Sequence, residues 1–181
     1  MRTTLLLLFV TFTATAVHAQ TESKSSVSVV VGGGQTWDDE GSLGRGWLAG
    51  AAIDRALVGQ LRAELSVEVL THGRSEGYLQ ADGHTVIAGA SLLQRFGRAR
   101  ARPYIFGGAT GGHHSGSRTF VDVHSEESST DFGWRAGAGV AIGAGSKYEI
   151  SPELRMNGFF TDSDSHPATL LSIGVRLAIR L

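Results

Sequence analysis

The chain has 181 residues, 25 of them glycine and 3 proline, with no cysteine and a formal charge of -1. That length supports one domain with a real core, the charge lacks the basic excess of a nucleic-acid module, and the missing cysteines exclude disulfide frameworks, CxxC zinc sites and thiol chemistry. A hydrophobic content of 41 % suits a soluble globule and a membrane barrel equally, because a barrel dilutes its apolar residues by alternation.

Arg2 precedes an unbroken apolar run from Leu5 to Val10, and Ala14, Ala16 and Ala19 follow at small-residue positions. The run is too short to span a bilayer as a helix, so residues 1–19 read as a cleaved signal peptide. After Ser26 the period is two. Leu61, Ala63, Leu65, Val67 and Val69 share one face, and Arg62, Glu64, Ser66 and Glu68 share the other. The last segment repeats the pattern, with Leu171, Ile173, Val175, Leu177, Ile179 and Leu181 against Ser172, Gly174, Arg176, Ala178 and Arg180. Residues 132–143 set Phe132, Trp134, Ala136, Ala138, Val140 and Ile142 against a glycine-rich face carrying Arg135. Weaker alternation marks 26–35, 46–54, 84–96, 102–111 and 148–160, and it leaves the facing of Ile87, Leu93 and Tyr104 open. The sum is eight strands of roughly nine to thirteen residues, long for a soluble sheet and suited to a tilted membrane strand.

Short turns near 55–59, 97–101 and 144–147 alternate with longer polar stretches near 36–45, 73–83, 113–130 and 161–167. Short and long connections in alternation indicate an all-β, eight-stranded antiparallel up-and-down transmembrane β-barrel. Its less apolar face is glycine, alanine and serine punctuated by Arg and Glu, with almost no Lys, which fits a narrow lumen better than a wetted surface. Phe96, Trp134, Tyr148 and Phe160 fall near strand ends, where an interfacial girdle belongs. On this division residues 20–25 form a periplasmic tail and 26–181 the barrel, in the outer membrane of a Gram-negative-type bacterium. A secreted lipocalin-like binding barrel is the alternative, with the apolar face turned inward.

Three stretches carry a family likeness: Arg102-Pro-Tyr-Ile-Phe-Gly-Gly-Ala-Thr-Gly, Phe132-Gly-Trp-Arg-Ala-Gly-Ala-Gly-Val and Ile150-Ser-Pro-Glu-Leu-Arg. Together they make the chain resemble the small bacterial outer-membrane β-barrel proteins of the eight-stranded, OmpA-like and OmpX-like group. The resemblance implies outer-membrane lipid and lipopolysaccharide as surroundings and the barrel-assembly machinery as a partner in biogenesis, with no nucleic acid and a monomeric state. Members commonly end in an aromatic residue, whereas this chain ends in Leu181. No peptidoglycan-binding domain is expected after the last strand.

The inward face collects Arg62, Arg95, Arg135, Arg155, Arg176 and Arg180 against Asp54, Glu64, Glu68, Glu149 and Glu153. Charges in so narrow a space must pair, since a buried unpaired charge costs about 3–5 kcal/mol. A salt-bridged plug is therefore expected, built chiefly on Arg62, Glu64, Glu68, Arg135, Glu153, Arg155, Arg176 and Arg180. The chain then has a structural or surface-interaction role through its extracellular loops. A narrow gated ion pore, opened by re-pairing of Arg and Glu, is the alternative.

Of seven histidines, His18 lies in the signal peptide, and His72, His84, His113, His114, His124 and His166 fall at one end of the strands or in the long connections. Imidazoles among carboxylates bind Zn or Cu, but no spacing here matches a ligand set, and His113 and His114 on an extended chain point to opposite sides. No metal and no cofactor is expected. A lipid A-modifying enzyme needs a Ser–His–acid set; Ser163, Ser165 and His166 with Asp162 or Asp164 offer the residue types without a deacylase motif. The expectation is a non-enzyme. The run from Val31 through Gly32, Gly33 and Gly34 lacks the Lys-Ser/Thr and following helix of a phosphate loop, and within a strand it permits close packing and bending.

Overall fold

A computed structural model describes residues 25–38, 41–76, 79–120, 123–144, 146–160 and 169–181. The proposed signal peptide, the tail up to residue 24 and the stretch 161–168 lie outside the described residues. Eight strands follow one another: β1 (Ser25–Asp38), β2 (Gly41–Val58), β3 (Leu61–Glu76), β4 (Leu79–Arg95), β5 (Ala101–Phe120), β6 (Val123–Ile142), β7 (Tyr148–Phe160) and β8 (Thr169–Arg180). Each pairs antiparallel with the next, and β1 pairs antiparallel with β8, which closes the barrel. Closure leaves no open sheet edge, the condition for a sheet to sit in lipid.

The register sets the tilt. Rungs run from Ser26 to Asp54, Glu64, Ser91, Gly108, Arg135, Asn157 and Leu170, and then return to β1 at Thr36. That stagger, from Ser26 to Thr36, tilts the strands by about 40° for eight strands. Three short turns lie at the end that holds both described chain ends. Gly59 and Gly143 sit in two of them at φ +57° and +85°, a left-handed backbone that a side chain would strain.

Side chains alternate as the period-two pattern expects. Val29, Ile53, Leu65, Val67, Ile105, Leu154, Ile173 and Ile179 are exposed on the outer wall, while Glu64, Glu68, Arg135 and Arg155 are buried. An aliphatic surface this continuous far exceeds the patch a soluble monomer presents. It suits acyl chains and removes the lipocalin-like alternative. Trp47, Phe132 and Phe160 stand outward at one margin and Tyr148 at the other. Phe96, by contrast, lies past the end of β4, in the turn. Ile87, Leu93 and Tyr104, whose facing the alternation left open, are all buried inside.

The long connections differ from the sequence reading because the strands run through most of them. The stretches 36–45, 73–83 and 113–130 are not loops for most of their length. β1 continues to Asp38 with β2 resuming at Gly41, β3 and β4 pair as far as Glu76 and Leu79, and β5 and β6 as far as Phe120 and Val123. β5 and β6 are 20 residues each, against 13 and 12 for β7 and β8. The nine residues of β6 before Phe132 carry that hairpin about 20 Å past the aromatic margin at ~3.3 Å per residue and this tilt.

Candidate functional site

The alternation of β3 aims Arg62, Glu64, Ser66 and Glu68 into the lumen, and β7 does the same with Glu149, Ser151, Glu153 and Arg155; all are buried. β6 contributes Arg135, and β8 contributes Arg176 and Arg180. Glycine makes room for these long side chains. A Cβ on Gly89 would strike the Arg135 guanidinium, and one on Gly137 would strike the Phe106 ring. The small residues of the inner face are thus the floor on which the large ones lie.

Six of the charges form one alternating chain. Arg135 Nη2 donates to Glu68 Oε1 at 2.9 Å, and Arg155 pairs with the same carboxylate. Arg155 also pairs with Glu153, whose other oxygen lies 3.0 Å from Arg176 Nη2, and Arg176 reaches Glu64. The ladder therefore reads Arg135–Glu68–Arg155–Glu153–Arg176–Glu64, three cations and three anions. The Tyr104 hydroxyl donates to Glu153 Oε2 at 2.6 Å, and the Arg135 guanidinium also donates to Ser66. Both Arg135 and Arg155 lie 5.6 Å from the Phe106 ring centroid, within cation–π range.

Nearer the short turns two further groups complete the interior. Glu149 accepts a fork from Arg95, Nη2 to Oε1 at 2.8 Å and Nη1 to Oε2 at 3.0 Å, and a third bond from Arg180 Nη2 at 2.9 Å. Asp54 pairs with Arg62 and accepts the Ser26 hydroxyl. Each of these Arg, Asp and Glu side chains is paired with one of opposite charge. Sequence reasoning missed Arg102, which is buried and donates Nε to the Ala99 carbonyl at 3.0 Å. Its signal was its parity with Tyr104, itself undecided. Tyr104 was missed as a hydrogen-bonding partner for the same reason, whereas Ser66, already on the charged face, was missed because alternation names no partners.

Toward the long hairpins the lumen turns apolar. Past Glu68 on β3 comes Leu70, past Arg155 and Asn157 on β7 comes Phe159, and past Ser172 on β8 comes Leu170; Leu70, Phe159 and Leu170 pack with Leu48 and Ile87. Beyond this layer His114 is buried, with Nδ1 3.0 Å from the Thr85 hydroxyl, Nε2 3.7 Å from Asp131 Oδ2 and its ring edge-on to Phe159. His113 faces outward and meets Thr130 at 2.9 Å, so the neighbouring imidazoles do point apart. Among the described residues no three His, Asp or Glu stand close enough to hold a metal ion. The Thr85–His114–Asp131 line resembles a nucleophile–base–acid set in type, yet Thr85 is 1 % exposed, so a substrate has no approach to its hydroxyl in this arrangement. Ser163, Ser165, His166, Asp162 and Asp164 lie outside the described residues, as does His166's role in any metal set.

The same closed ring of eight strands is found in known solved structures. Neisserial surface protein A is similar over 90 % of this chain and 100 % of its own, with a TM-score of 0.69 and 14 % identity. A major outer membrane protein from Thermus thermophilus follows over 91 % and 100 %, at a TM-score of 0.63 and 16 % identity. This is the eight-stranded outer-membrane barrel fold. The outer membrane enzyme PagL shares it as well, over 86 % of this chain and 99 % of its own, at a TM-score of 0.52 and 18 % identity. No family model matches the chain, and no curated protein matches it. The interior of the present barrel is a neutral ladder capped by an apolar layer.

Proposed function

We propose that the chain is exported by its N-terminal signal peptide and stands in the outer membrane of a Gram-negative-type bacterium as a sealed, non-enzymatic barrel. On this proposal the lumen charges hold the wall rigid and the extended hairpins β1–β2, β3–β4 and β5–β6 present the interaction surface. Outer-membrane lipid and lipopolysaccharide surround it, the barrel-assembly machinery inserts it, and it works as a monomer. One observation supports the reading: buried side chains fill the inner face at two levels, the Arg–Glu ladder and the Leu48, Leu70, Ile87, Leu170 and Phe159 layer above it. Re-pairing of the charges alone, as a gated ion pore requires, leaves the apolar layer in place, and a dry apolar constriction blocks ions by itself.

Planar-bilayer recording tests this. The wild-type barrel and Glu68→Gln are both expected to stay silent, because the substitution leaves the apolar layer closed. Discrete, ohmic conductance steps in either protein contradict the sealed barrel and favour the pore.

A further inference from the structure

We propose that the outer wall of β1 carries a trough for one acyl chain of a phosphorylated glycolipid, with Arg45 receiving its phosphate. Gly33 faces outward, and its rung partners are Trp47 on β2 and Ile173 on β8. Those two side chains are 79 % and 69 % exposed, so they stand up on either side of a position that has no side chain at all. They line part of an open trough of about 810 Å³ that crosses the strands from Leu154 and Leu171 to Thr71, His72 and Asp82. Room of this kind takes a methylene chain, which gains by leaving neighbouring tails for a fitted wall.

One rung toward the hairpins the chemistry changes. Gln35 pairs with Arg45, and Arg45 is exposed at the head of the trough, beside the Trp47 margin where acyl chains give way to headgroups. A guanidinium there suits a phosphate through charge-assisted bonds, and the exposed indole gives a sugar ring an apolar face. The nearest carboxylate on the same rung is Asp82, two strands from Arg45 across Gly73 and about 10 Å away by strand spacing. Asp82 lines the far end of the same trough, so Arg45, on the rung next to Gly33 and Trp47, is the charge nearer its apolar part. The choice of a glycolipid rests on the outer-membrane reading above, which puts this end of the barrel in the leaflet that holds phosphorylated glycolipid.

Native mass spectrometry of the refolded barrel, given lipid A as the probe and phosphatidylglycerol as competitor, tests the trough. One lipid A is expected to remain bound, and Gly33→Leu and Arg45→Gln are each expected to weaken retention about tenfold. A Cβ on Gly33 meets only the Gly46 carbonyl oxygen at 3.5 Å, an ordinary contact, so the leucine fills the trough without moving the wall. Heat-modifiable migration checks that both variants fold, and Arg45→Gln, an exposed change, carries the test alone if Gly33→Leu does not. Equal retention by a folded variant and wild type overturns the proposal, and so does phosphatidylglycerol bound as tightly as lipid A. Either failure leaves the localisation untouched, since membrane fractionation decides that separately.

Discussion

Glu68→Ala is expected to destabilise the folded barrel by about 3–5 kcal/mol, the cost of leaving buried charges without their partner. The number belongs at the upper end of that range for a physical reason. Glu68 is 1 % exposed and is the one carboxylate that Arg135 and Arg155 share. Its removal strands two guanidiniums where water does not reach, and only Arg155 retains a second carboxylate, Glu153. Removing Asp54, by contrast, takes a carboxylate from one directly paired guanidinium, Arg62, nearer the barrel end. Urea titration of the folded gel band reads the difference. A Glu68→Ala barrel as stable as wild type contradicts the ladder's structural role.

The second large effect lies one residue away on the opposite face. Val67→Arg is expected to cost about 2–4 kcal/mol in a bilayer, the penalty for a cation near the midplane of a barrel's lipid face. Val67 pairs with Ala51 and Ala88 and stands 56 % exposed amid outward Leu65, Val69 and Ile53. In water the same substitution on an exposed strand costs little. Comparing lipid vesicles with short-chain detergent micelles therefore isolates the bilayer term: a loss of folded fraction in thick bilayers supports the account, and an unchanged fraction contradicts it.

These two neighbours also show how far the sequence could be read. Alternation of valine with glutamate in β3 is visible because one face meets lipid and the other meets a charged interior. That contrast exists only within the membrane. Past Trp47 and Phe132 the outer face carries polar residues such as His113 and Thr130, the period-two signal fades, and His113 through Thr130 looks like a polar loop although the ladder of backbone bonds continues. Inside, buried apolar side chains produce the converse error. Ile87 and Leu93 are apolar and point inward, so β4 has apolar residues on both faces and its facing cannot be judged from pattern.

The composition of the lumen was legible, but its pairing was not. Arg176 meets Glu64 across 112 positions of sequence, and that meeting depends on the stagger accumulated around all eight strands. Parity says that each side chain points to the axis; only the register says at what height. Arg102 escaped notice because its strand alternates Arg, Tyr and Phe with Pro, Ile and Gly, two faces of similar greasiness.

The chain has no cysteine, so single cysteines can be introduced along β3 from residue 61 to residue 70 and spin-labelled in bilayers. Collision with oxygen, which concentrates among acyl chains, is expected to peak at positions 63, 65, 67 and 69 and to drop at 62, 64, 66 and 68. The opposite phase, with oxygen reaching the labels at 64 and 68, contradicts the outward greasy wall on which the sealed barrel, its ladder and its lipid trough all stand.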